Sequence, residues 1–526
     1  MESTSSRGSR LPLILVILLL VAVVGAGIWL FARPHRDGPA GGGGLQFASL
    51  AFNANACASS ADLPAQGWDW PQTPATVESW VANRDVARTR VHGWWLWAAL
   101  NQVASGQPLW RGWCTSTQAF PYQYPPGSDP GGAAAAAASL GGRRTALTVA
   151  SDPSMNMTGP TYRVPQGACV VGGALRDGPS FANNTDAMVA GVIYNPTAFN
   201  SIMNQKLDVK QTLQNAAPQP GGTSSVQLAP GSVVLKPMMW PVQASGYTAL
   251  PVWDEGKTGS SGYVGFENQK EWKRAVAVTP QPQPGVTAVD ATYLYGLTYH
   301  NLPFQPVTYK QAPVVPIDRF YAYRPNVASL DPCDKAILDQ SAMAVYNRGF
   351  QQGDFLILIA MHIMTKEQPN WTFQSVYWSD RPGVGPNAAN RPLIPAAKGP
   401  WQNYLMASTY GIPEASTGGR PPVWGVHFNP YIELAAGHPV ATNCMNCHMR
   451  GAFAPNMPSG SPTGNATYLT TANTDDPGAI GILNQRNPIF KDLVMTDFQW
   501  SLPFRAANPP PGPVGGKPGP AGGKAR

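Results

Sequence analysis

One uninterrupted apolar run, Leu11 to Ala32 (LPLILVILLLVAVVGAGIWLFA), constrains this chain more than any other feature. Its 22 residues carry no charge. As a helix they extend roughly 30 Å, which matches the hydrocarbon thickness of a bilayer. The sequence holds no second run of this kind, which excludes a polytopic membrane protein. Val24-Gly25-Ala26 offers a small-residue cleavage site, but Ile28 to Phe31 continue the apolar run beyond it. The segment is therefore read as a retained anchor rather than a cleaved signal peptide. Both readings export the remainder of the chain. The expected organisation is a cytoplasmic tail (1–10), a transmembrane anchor (11–32), a Gly-rich tether (33–44), an exported body (45–505) and a disordered Pro/Gly tail (506–526). That places the chain in the cytoplasmic (inner) membrane as a single-pass protein, with its body on the periplasmic or extracytoplasmic side.

The body must fold around many breakers, since 54 Gly and 54 Pro are spread along 526 residues. A long coiled coil is excluded on that ground. A disordered chain is excluded by 17 Trp, 18 Tyr and 17 Phe. The formal charge of +7 suggests nucleic acid until it is located. Residues 1–44 contribute +2 and residues 506–526 contribute +3, leaving +2 for the whole body. No nucleic-acid footprint remains. A biased insert, Pro125 to Gly142, contains six consecutive Ala and reads as a surface loop.

Apolar periodicity predicts mixed elements. One helix is expected over Thr73–Gln102, from Val77, Trp80, Val81, Val91, Trp94, Trp95 and Ala98. Asn195-Pro196 starts a second helix, with Asn as cap and Pro at the first position, and Phe199, Ile202, Met203 and Leu207 as its apolar face. Asp331-Pro332 starts a third in the same way, running to about Phe350. Strands are expected at Ser232–Lys236, Arg274–Val278, Phe355–Met364, Thr372–Trp378 and Val423–Phe428. The order is not a regular βαβ repeat. The fold class is α+β, a loop-rich mixed helix and sheet body with an antiparallel or mixed sheet in the middle.

The chemistry concentrates in Cys444-Met445-Asn446-Cys447-His448, a C-x-x-C-H sequence. This is the attachment spacing of c-type haem. Two thiols three positions apart on one turn reach the two vinyl groups of one porphyrin edge, and the adjacent imidazole can then bind the iron. With 6 Cys and 7 His in 526 positions, a chance match is expected about once per thousand such chains. A zinc site would need two further close ligands, and His427 and His438 give no standard finger spacing. A thioredoxin-type pair should open a helix after a strand in a βαβ setting, and the flanks Gly437-His438-Pro439 and Arg450-Gly451 do not provide one. A plain disulfide is the remaining alternative. One covalent haem c is expected, held by Cys444, Cys447 and His448. The other four cysteines, Cys57, Cys114, Cys169 and Cys333, are expected to form at least one bridge, with three pairings open.

For the distal iron position two residues stand out. Met495 lies 47 residues after His448, and a plain core methionine is the alternative for it. His362 lies in a run apolar on both faces, Phe355 to Met364, so it belongs to a central strand and needs a partner. Its alternative is a satisfied core histidine. Met457, His300, His427 and His438 are weaker candidates, and His92 among helix-face tryptophans reads as structural. Thr365-Lys366-Glu367 beside His362 offers an acid/base pair, or ordinary strand-end polarity.

Through Cys444, Cys447 and His448 the chain resembles the c-type cytochromes. More diffusely it resembles large exported bacterial monohaem proteins of the cytochrome c family, through MHIMTKEQPNWTFQSVYWSD (361–380), NCMNCHMRGAF (443–453) and TDFQWSL (496–502). The resemblance implies haem c, an iron site and one-electron transfer, with a redox partner protein or a quinone-linked chain as partner. It departs from small class I cytochromes, because here the motif sits near the C-terminus of a much larger body. Two other functions stay open at this level. One is a haem-dependent oxidoreductase or peroxidase-like enzyme with its substrate site in the upstream region. The other is a haem-based redox or ligand sensor.

Overall fold

The computed structural model describes residues 57–122, 170–254, 272–294, 306–411, 429–432, 444–456, 466–468 and 490–509, a few positions within the first two ranges excepted. All belong to the second of the two units into which the chain divides, Ala48–Arg526. Outside them lie the expected anchor and tether, the 125–142 insert, the strand at 423–428, and Cys169, His300, His427, His438 and Met457. Among the described residues no helix is long and apolar enough to cross a membrane.

The structure is mixed helix and sheet, in keeping with α+β. The expected helix over 73–102 is two helices, α1 (Pro74–Ala82) and α2 (Val86–Leu100). The break has a local cause. Arg84 takes a left-handed conformation, and the Asp85 carboxylate accepts the Arg88 N–H, so the run restarts with its own cap. Helix α3 (Pro196–Asn204) begins as read, with Asn195 Oδ1 accepting the Ala198 N–H at 2.9 Å. Helix α4 (Pro332–Tyr346) also begins as read but stops short of Phe350, because Asn347 turns left-handed at its C-terminus.

Among the described residues the central sheet has nine strands, all paired antiparallel. Its spine is β1 (Val233–Val242), β2 (Phe355–Thr365), β3 (Thr372–Trp378) and β4 (Tyr404–Thr409), in the order β4-β3-β2-β1. Short strands at Val189–Ala190 and Ile193–Tyr194 pair with the other edge of β1. Strand β1 runs well past the expected Lys236, through Pro237 and Pro241. Pro237 is tolerated because its carbonyl accepts the Gly191 N–H. Its missing N–H therefore faces the gap between the two short strands, not the continuous ladder to β2. A second, four-stranded sheet is built from Thr248–Val252, Arg274–Thr279, Val307–Pro316 and Ala288–Tyr293.

Register divides the spine into two faces. Lys236, His362 and Ser375 lie opposite one another on one face, with Val234, Met364 and Phe373 one step along. Gln374, Ile363 and Thr365 look the other way, toward α2. Gly93 lets α2 approach closely, for a Cβ there would sit 2.9 Å from Met406 Sδ and 3.0 Å from Gln374 Cγ. Trp94, Trp97 and Trp401 fill that layer, and Trp97 Nε1 donates to the Trp401 carbonyl. The N-terminal end of the described chain is tied to the sheet by a Cys57–Cys114 disulfide, and Cys333 is disulfide-bonded as well. At the other end, Ala507 and Asn508, expected in the disordered tail, bond instead to Asp208 and Gln211.

Asn195 couples α3 to β1. Its Oδ1 also accepts the Val233 N–H at 2.8 Å, and its Nδ2 donates to Asp62 and to the Gly231 carbonyl. Asn195→Ala is expected to lower stability by about 2–4 kcal/mol, one lost cap plus a buried unsatisfied N–H. Denaturant unfolding measures it, and a loss below about 1 kcal/mol would show that the cap does not couple the two elements.

Candidate functional site

The C-x-x-C-H sequence forms one helical turn, α5 (Cys444–His448), closed by the Met449 N–H to the Met445 carbonyl at 2.9 Å. Cys444 and Met445 are buried and His448 is partly buried, while the Cys447 side chain lies outside the described part. Strand β5 (Gly451–Phe453) comes directly after it and pairs with β6 (Leu493–Met495), Ala452 lying opposite Met495. Both belong to a small sheet completed by Ala466–Tyr468 and Thr223–Ser225. Gly451 is where this sheet meets the turn after β6. A Cβ there would sit 3.1 Å from Thr496 Oγ1 and 3.3 Å from the His448 carbonyl.

That turn presents a carbonyl to His448. The distance from His448 Nδ1 to Phe498 O is 2.9 Å. A carbonyl only accepts, so Nδ1 carries the proton and Nε2 keeps a lone pair. Burial pushes the His448 pKa down to about 4; the Phe498 carbonyl pulls it up, and His362 and Lys236 add to the depression. The imidazole is therefore neutral at physiological pH, the form that binds metal. The Phe373 ring lies 5.3 Å from the His448 ring, centroid to centroid.

Holding the Phe498 carbonyl in place requires strained backbone. Asp497 and Phe498 have φ of 52° and 65°, consecutive non-glycine residues in the left-handed region. Each such conformation costs on the order of 1–2 kcal/mol. The turn is fixed from within by Thr496 Oγ1 donating to the Gln499 carbonyl and the Gln499 N–H donating to Thr496 O. It is fixed from outside by Asp497, whose carboxylate accepts the Leu228 N–H at 2.8 Å and pairs with Lys366 Nζ. Both charged side chains are buried, and the lysine also donates to Gln227 Oε1 and lies 5.3 Å from the centre of the Trp371 ring. Burial pushes the lysine pKa down and the aspartate pKa up, against the pull of the pair itself.

The two distal candidates fall near this centre by different routes. His362 sits in β2 between β1 and β3, as expected of a central strand, on the face that carries Met364 and Phe373. It shares that face with Phe373, whose ring packs against His448. Met495 is buried in one core cluster with Cys444, Met449, Met364, Phe373 and Phe498. Lys366 and Glu367 are not exposed strand-end polarity. Lys366 faces Asp497, and Glu367 is buried against His92, with Oε1 3.2 Å from His92 Nε2. Sequence reasoning missed the role of Phe498, which acts through its backbone and leaves no side-chain signal. It also missed the Lys366–Asp497 pair, whose members are 131 positions apart. Among the described residues no group of three or more His, Cys, Asp or Glu side chains could hold a metal ion. What α5 offers among the described residues is one nitrogen ligand beside buried cysteine.

No model of a protein family, no curated protein and no solved structure matches the chain.

Replacing Lys366 by Met would leave the Asp497 carboxylate buried without its cation. The expected loss is about 3–5 kcal/mol in denaturant unfolding. The double variant Lys366→Met/Asp497→Asn keeps an oxygen for the Leu228 N–H and should recover most of it. A double variant as unstable as the single one would mean that charge burial is not the cause.

Proposed function

We propose that this chain is a membrane-anchored, exported monohaem c-type cytochrome whose basic activity is one-electron transfer. The observation that carries the reading is the single turn Cys444–His448, with the His448 Nδ1 proton held by the Phe498 carbonyl and Nε2 left as the ligand atom. Cys444 and Cys447 would hold the porphyrin edge through thioethers, and His448 the iron. When bound, haem c supplies a one-electron iron couple. The protein's own part is to keep His448 neutral, to orient its ring through Phe498, and to surround it with apolar side chains such as Phe373 and Met449. His362 is the better-supported residue for the remaining iron position, because it lies on the sheet face that carries Phe373, whose ring packs against His448; Met495, buried in the cluster that holds Cys444, is the other. The Cys57–Cys114 disulfide agrees with an oxidising, extracytoplasmic compartment. Residues 11–32 would anchor the body there, facing a redox partner protein or a quinone-linked chain.

Electron transfer is favoured over a haem oxidoreductase or peroxidase-like enzyme by the placement of Lys366 and Glu367. The acid and base that such an enzyme would have used are buried in internal partnerships with Asp497 and His92.

Cys447→Ala is expected to abolish haem that survives denaturation on a gel. Full covalent haem staining with both Cys444 and Cys447 replaced would end the assignment. Reduced wild-type protein is expected to bind carbon monoxide slowly or not at all, because a protein side chain would occupy the remaining iron position. His362→Ala should open that position to rapid carbon monoxide binding and change the optical spectrum, whereas Met495→Ala should not. The reverse pattern would make Met495 the ligand. Immediate, complete binding by the wild type would favour the sensor or enzyme.

A further inference from the structure

On the α2 side of the central sheet lies a buried chain of polar groups that the haem site does not use. Tyr410 Oη is 2.6 Å from His92 Nδ1, and His92 Nε2 is 3.2 Å from Glu367 Oε1. All three side chains are almost wholly buried. The partners fix the proton positions. Glu367 Oε1 accepts the Gln72 N–H at 2.8 Å, and Oε2 accepts from Thr365 Oγ1. His92 Nε2 makes no aligned hydrogen bond to this carboxylate, but the negative charge beside it favours a proton on Nε2, since a bare nitrogen lone pair would be repelled. His92 Nδ1 is then the acceptor. Gln374 Nε2 donates to Tyr410 Oη at 2.7 Å, and Thr372 bonds to the phenol as well; of the described groups around Tyr410 Oη, His92 Nδ1 is the one base that can take up its proton. The result is a hydrogen-bonded phenol–imidazole pair with a carboxylate beside the imidazole.

The same grouping in a cleft would activate a nucleophile, but here no substrate can reach it. What a sealed phenol–imidazole pair beside a carboxylate can do is let the phenol lose an electron without leaving a stranded charge. A route for the electron is present. Trp80 packs in one cluster with Val77 and Tyr410, its ring lies 5.4 Å from that of His92, and it sits at the edge of burial with the Arg88 guanidinium stacked 4.4 Å from its centre.

We propose that Tyr410 is a redox-active tyrosine, oxidised by one electron with transfer of its phenolic proton to His92. An outer-sphere one-electron oxidant at the surface near Trp80 takes the electron and is reduced by one. The Tyr410 O–H bond breaks, and an N–H bond forms on His92 Nδ1. The products are a neutral phenoxyl radical and an imidazolium paired with the Glu367 carboxylate. Re-reduction returns the proton along the same 2.6 Å bond. Burial and the Glu367 charge hold Tyr410 protonated far beyond physiological pH, so oxidation without an internal base would leave a buried cationic phenol. This step does not depend on haem.

The test uses the purified full-length protein, hexachloroiridate(IV) as the oxidant and freeze-quench electron paramagnetic resonance. A tyrosyl signal is expected in the wild type and should be lost in Tyr410→Phe. In His92→Gln, which cannot take up a proton, the radical should form in at least tenfold lower yield or decay at least tenfold faster. Trp80→Leu should slow formation without changing the decay. Should these variants fail to fold, wild-type protein labelled with nitrogen-15 histidine supplies the answer. The radical must then show hyperfine coupling to a histidine nitrogen through an exchangeable proton. A signal that survives Tyr410→Phe unchanged, or a wild-type radical without that coupling, overturns the proposal.

Discussion

The hydrogen bond from His448 Nδ1 to the Phe498 carbonyl is the constraint on which the candidate site depends. It fixes at once which nitrogen carries the proton, how the ring is turned and which atom faces outward. Its acceptor is a main-chain carbonyl aimed by two left-handed residues, Asp497 and Phe498. Such a backbone persists only where its surroundings over-determine it. Here they do, through the bonds between Thr496 and Gln499, the close approach at Gly451 and the ion pair between Lys366 and Asp497. The geometry of one imidazole is thus maintained from three stretches of chain, 361–380, 443–453 and 496–502.

The connection between β2 and β3 does two jobs with adjacent residues. Lys366 reaches toward the His448 side of the sheet and Glu367 toward α2. Each places a charge out of water, which is unfavourable unless every lone pair and proton finds a partner. Glu367 has Gln72, Thr365 and His92, and Lys366 has Asp497, Gln227 and the Trp371 ring. Such groups add little net stability compared with apolar replacements. Their effect is to make one arrangement of helix, sheet and C-terminal turn much better than its neighbours.

Elements announced by local chemistry are legible in the sequence. Asn195-Pro196 and Asp331-Pro332 start helices where the cap and the proline ring say they should. The apolar run around His362 is a central strand because both of its faces are covered. Legibility fails where a local cap or a tertiary contact overrides the apolar pattern. The break at Arg84 interrupts a continuous apolar stripe, because Asp85 can cap a new helix. Strand β1 continues through Pro237, because the neighbouring edge is discontinuous there. In the site, Cys444 and His448 are readable from spacing alone. The Phe498 carbonyl is not, since every residue has one. His92 reads as structural from the tryptophans around it, and its partners Glu367 and Tyr410 are hundreds of residues away in the chain.

The paired duties of Lys366 and Glu367 also limit how this region can drift. Successive side chains leave an extended backbone on opposite sides. Inserting a single residue between Thr365 and Lys366 would turn the ammonium away from Asp497 and the carboxylate away from His92, breaking both buried pairings at once. Most surface hairpins absorb length changes readily; a connection whose side chains are buried on both sides of the sheet does not.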